Sequence, residues 1–156
     1  MRRLTAEALG EELADRFLDP EACQRAAALM RGRPRPDPVG CCEIAFARAA
    51  LLRFVIEETL APSIAARASG AVALVLARLF DGAHTPQTAA RYGPSDLPTA
   101  AAVGLAHYRE AAFLSERLAR SLAERLGMAQ PSPEVAEDLT GMVERVVIWI
   151  TRVGIR

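Results

Sequence analysis

The sequence contains no lysine and no asparagine. All 19 basic residues are therefore arginine, so the chain can form no Schiff base, carry no covalently attached pyridoxal phosphate and supply no phosphate-loop lysine. Cysteine is scarce. Cys23, Cys41 and Cys42 are an odd number, two of them adjacent, which is no basis for a disulfide framework and points to a reducing cytosol. β-Branched residues are few outside the last twenty positions, and no run alternates apolar with polar residues for the length of a strand, so a sheet-based fold is excluded. Long uncharged apolar runs are missing too. Ala68 to Phe80 is interrupted by Arg78, and Val143 to Ile155 by Glu144, Arg145 and Arg152, so no membrane span of about 18 apolar residues is expected. The first residues turn acidic at Glu7 before any apolar stretch of signal-peptide length, so no export signal is expected and the chain reads as cytoplasmic.

What is present describes a folded globule. Of 156 residues 51% are hydrophobic and 24% charged, the size and composition of one folded domain. Nineteen acids balance the arginines, and the balance holds locally: up to Arg78 there are eleven arginines against ten acids, beyond it eight against nine. Neither half has the basic excess of a nucleic-acid binder. Ala89 and Gly93 have the spacing of a helix-turn-helix, but Pro94 and Pro98 fall where its turn and recognition helix would run, and only Arg91 is basic before Arg109. Arg31, Arg33 and Arg35 alternate with glycine and proline as in a stiff solvated linker.

Alanine is the commonest residue, and the spacing predicts an all-α, single-domain bundle of five main helices plus two short ones. The domain spans residues 1–156, with short helices over 1–32, an Arg/Pro linker over 33–38 and the helical core over 39–156. Thr5 caps a first helix to about Leu18 that buries Leu9, Leu13 and Phe17, and Asp19-Pro20 restarts the chain into a second, ending at Gly32. Asp37-Pro38 opens a third helix to about Leu60. Pro62 opens a fourth to Phe80, apolar nearly all round and therefore the expected centre of the bundle. A loop from His84 to Pro98 holds a short helix from Pro86 to Tyr92, closed by Gly93. One long helix then runs to Leu126 with Gly127 as its stop, and Ser132-Pro133-Glu134 opens the last, to about Val153.

Functional candidates are polar residues on apolar faces. At about 100° per residue, Arg48 falls in the middle of the third helix's apolar arc, with Glu43, Arg53, Glu57 and Glu58 on the opposite side. An arginine cannot shed its charge, so its head reaches the edge, meets a buried acid or holds an anion. In the long helix His107 lies within the apolar face, flanked by Tyr108 and Ser115: either a core histidine bonded to a carbonyl, or the acid, base or axial ligand of a haem-like cofactor pocket. Cys41 and Cys42 occupy the first turns of the third helix, where the dipole favours a thiolate, but adjacent helical residues point about 100° apart and cannot readily join to each other. The two histidines and three cysteines show no metal-ligand spacing.

The last helix presents a broad apolar face ending at Trp149, and Ile148 and Ile155 break its polar side, as a two-fold interface would. The expected function is a non-enzymatic cytoplasmic binding or regulatory module, homodimeric, with no nucleic-acid or membrane partner. The alternative is a helical sensor or enzyme holding a small anionic or aromatic ligand or a cofactor around Arg48, His107 and Tyr108.

Overall fold

The computed structural model describes residues 2–31, 37–80, 85–93 and 97–155. Among these the chain is all-α. The helices are α1 (Ala6–Phe17), α2 (Pro20–Arg31), α3 (Pro38–Thr59), α4 (Pro62–Phe80), α5 (Pro86–Tyr92), α6 (Leu97–Arg109), α7 (Ser115–Arg125) and α8 (Pro133–Arg152). The expected stops at Gly32, Asp81-Gly82, His84 and Pro94, and Arg33 and Arg35 of the linker, lie outside the described residues.

The helix starts follow from local chemistry. Thr5 Oγ1 accepts from the Ala8 amide at 3.2 Å, Asp37 Oδ1 from Gly40 at 3.0 Å, and Ser132 Oγ from Val135 at 3.4 Å. Each cap satisfies an amide that the helix itself leaves unpaired and contributes about 1 kcal/mol. The prolines after Asp37 and Ser132 occupy first-turn positions, where their missing N–H costs nothing.

The centre of the bundle is α3, not α4. α3 packs against α1, α2 and α4 to α8, and every residue from Cys42 to Leu52 is buried. α4 packs chiefly against α1, α3 and α6 and turns Ala66, Gly70 and Leu74 outward. Its Pro62–Leu79 stretch is long and apolar enough to cross a membrane, at mean hydropathy 1.2, and includes Arg67 and Arg78. The apolar helix is half-exposed and the charged one enclosed because Glu43 and Arg48 of α3 find partners inside the bundle, whereas nearly half of the apolar residues of α4 are alanine. One contiguous core joins Leu9 and Leu13 of α1 to Ile56 of α3, Leu118 of α7 and Val146 of α8. α1 approaches α4 closely at Gly10, where an added methyl would run into the Ala68 carbonyl.

Two further expectations are corrected. The long helix is broken: α6 ends at Arg109 and α7 begins at Ser115. Between them the amides of Ala111 and Leu114 bond three residues back, to Tyr108 and Ala111, so the chain tightens before it restarts. His107 Nε2 lies 3.0 Å from Ser121 Oγ. Fourteen residues of continuous helix would separate these positions by about 21 Å, so α7 folds back beside α6. No glycine or proline marks the break. It allows Tyr108, Ala112, Leu118 and Leu122 all to be buried. The second correction concerns strand: Val153 leaves the helix with φ −109° and ψ 130°, and Gly154–Ile155 (β2) pairs in parallel with Arg3–Leu4 (β1). Ile155 therefore sits half-buried in a two-residue bridge rather than on a helix.

Gly10 and Gly70 should respond oppositely to alanine. Gly10→Ala forces α1 from α4 and should cost about 1–3 kcal/mol. Gly70→Ala, with open space at that position, should stabilise by about 0.5–1 kcal/mol through its helix propensity. Urea unfolding of the two variants measures both signs.

Candidate functional site

Enclosing α3 buries two of its charges. Glu43, expected on the solvated side, is fully buried: it stands about 140° around the helix from Arg48, and the bundle covers both directions. Arg125 of α7 donates to Glu43 from Nε at 3.0 and 3.1 Å and from Nη2 at 2.8 Å, and the Tyr108 hydroxyl donates at 3.1 Å. The guanidinium also lies 5.7 Å from the centre of the Tyr108 ring. Burial disfavours the charged form of Arg125, but the Glu43 hydrogen bond and charge together outweigh it and raise its pKa. Burial first, then the Glu43 charge, pushes the phenols of Tyr108 and Tyr92 well above their ordinary range. Sequence gave no sign of the Glu43–Arg125 pair, whose members are 82 residues apart.

Of the outcomes open to Arg48, the structure shows a buried head group met by an acid. Its Nη2 donates to Asp138 of α8 at 2.6 Å and its Nη1 to the Phe17 carbonyl at 3.2 Å, so α1, α3 and α8 meet at one guanidinium. Of the three residues grouped around one pocket, only Arg48 and Tyr108 are interior, and they serve separate clusters. His107 is exposed and bridges to Ser121, because α6 turns Ala101, Leu105 and Tyr108 to the core instead. Ser115 becomes the first residue of α7 and lines a surface cleft.

Burial favours the neutral form of all three thiols. Burial pushes Cys41 from 9.0 up to about 11 and Cys23 and Cys42 to about 12, overriding the helix-terminal field that would favour a thiolate. Among the described residues no group of three His, Cys, Asp or Glu side chains is placed to hold a metal ion.

The helix break opens a largely apolar cleft. A cleft of about 470 Å³ lies between α3, the α6–α7 turn and α8, with buried Leu51 and Val55 among its walls and Phe113, Leu114, Ser115, Thr140 and Val143 around them. Phe113 is 52% and Leu114 46% exposed. Ile148, one helical turn beyond the lining residue Glu144, continues this side of α8 and is 49% exposed. Trp149 instead packs on the core with the Arg16 guanidinium 5.6 Å from its ring, and Ile155 packs beside β1. Of the three interface candidates, Ile148 alone is a large outward apolar side chain.

Removing Arg125 should orphan the Glu43 carboxylate. Arg125→Met should cost about 3–5 kcal/mol in urea unfolding, and adding Glu43→Gln should recover at least half. The thiols set an alkaline limit: their native values lie above the unfolded ones, so their contribution is complete below about pH 8.5 and falls as pH rises toward 11. Melting temperature should decline over that window, and iodoacetamide at pH 8 should label native protein on the order of a hundredfold more slowly than urea-unfolded protein.

Comparison with known proteins finds no family model, no curated protein and no solved structure that matches this chain.

Proposed function

We propose that the chain is a binding module that works by associating with a second copy of itself across the face made by the α6–α7 turn and α8. The observation that carries this reading is the grouping of Phe113, Leu114 and Ile148, each about half exposed, around and beside a cleft walled by core residues. Large apolar side chains gathered on one face mark association surfaces, and aromatic residues are enriched in them. The rim supports self-pairing. Glu116 and Arg117 are adjacent on α7, as are Glu144 and Arg145 on α8, so a two-fold axis can set each acid against a base of the other copy. Arg117 already lies over Phe113, 5.3 Å from its ring centre, the combination of residue types that anchors interfaces. Free thiols at all three cysteines fit a reducing, cytoplasmic compartment.

Sedimentation at micromolar concentration should give a dimer. Ile148→Glu and Phe113→Ser should each cost at least about 2 kcal/mol of association and leave a monomer with unchanged helical circular dichroism. A wild-type protein that sediments as a monomer throughout overturns the proposal.

A further inference from the structure

On the opposite side of α8 from the association face, α2 and the first turns of α8 enclose a second cleft, of about 260 Å³, with Arg48 in its wall. Its polar lining is balanced: two cations, Arg25 and Arg48, and two anions, Glu134 and Asp138. Its apolar lining is Leu29, 70% exposed, and Val135, with alanines of α2.

The charges are only partly consumed by one another. Asp138 gives Oδ2 to Arg48, while its Oδ1 has Arg145 no nearer than 4.0 Å. Glu134 gives Oε2 to the Ser132 hydroxyl at 3.0 Å, and no hydrogen bond to its Oε1 is made among the described residues. Arg25 reaches Glu21 only at 3.7 Å, one turn away on its own helix and in solvent. Arg48 anchors the cleft: its side chain is 8% exposed, held by Asp138 and the Phe17 carbonyl, and its buried Nε lacks a partner. A bare anion would be attracted by the arginines but repelled by the two carboxylates, and a bare cation the reverse. A molecule carrying both charges a few ångströms apart meets neither objection. The cleft lies just below the roughly 300–1,000 Å³ of drug-sized pockets, which suits a small metabolite rather than a nucleotide or a haem.

We propose that this cleft binds a free α-amino acid with a medium-sized apolar side chain. Its carboxylate faces Arg25 and Arg48, its ammonium the open oxygens of Glu134 and Asp138, and its side chain Leu29 and Val135. The site stands apart from the association face, so its test does not depend on dimerisation.

The probes are L-leucine, 4-methylpentanoate, which lacks the amine, and isopentylamine, which lacks the carboxylate. Leucine at about ten times its dissociation constant should raise the melting temperature by roughly 3–6 °C, and the two half-molecules at equal concentration by less than a third of that. Arg25→Gln and Glu134→Gln alter exposed positions and should leave the free protein's melting temperature within about 1 °C while abolishing the leucine shift. No shift with leucine, an equal shift with either half-molecule, or a full shift in both variants overturns the proposal.

Discussion

The structure depends on a helix that carries charge into the middle of the bundle. α3 is enclosed from Cys42 to Leu52, yet this stretch holds Glu43 and Arg48, fully and almost fully buried. Leaving such a charge without a partner costs several kcal/mol, so each must be met by a group of opposite sign. Arg125 arrives from α7 and Asp138 from α8. These partners stand on different helices, and each pairing is satisfied only when its helix docks at a particular height and rotation on α3. Apolar packing alone would tolerate more slippage, because alanine and leucine surfaces offer many similar contacts. The two pairs therefore set the register of the C-terminal helices on the central one.

Docking α7 onto Glu43 explains the break after Arg109. A continuous helix would carry Arg125 about 25 Å beyond Arg109, away from the Glu43 carboxylate. Folding back brings it to hydrogen-bonding distance and lets Tyr108 close the same cluster from α6. The turn that makes this possible leaves Phe113 and Leu114 about half exposed near α8. An interior electrostatic requirement and an exterior apolar face are thus two consequences of one bend. Arg48 acts similarly on the other side of α8: it seats Asp138, and the seam between α2 and α8 remains open as a small cleft lined by both signs of charge.

Much of the fold was legible in the sequence because helix ends are local events. Thr5, Asp37 and Ser132 each bond an amide three residues ahead, and Gly93 and Gly127 take the positive φ values that close α5 and α7, at +95° and +66°. Such signals need no knowledge of the rest of the chain. The place of Arg48 within an apolar arc was legible as well, since that arc is a property of one helix, whereas the fate of its guanidinium was not. The break before Ser115 was not legible either, because no residue there is a helix breaker and its cause, the docking of α7 onto Glu43 of α3, is distant in sequence. With the break missed, His107 falls on the apolar face, whereas it is exposed.

Composition and periodicity by themselves determined an all-α chain, the starts of its helices and the presence of a charge on the inner side of α3. Only the tertiary structure decided which helix lies at the centre, which residues of opposite charge answer Glu43 and Arg48, and which apolar residues are left outside. The physical reason is range. Capping and amphipathicity act within about one or two turns of chain, whereas the partners of the buried charges are 82 and 90 residues away and become neighbours only when the helices pack.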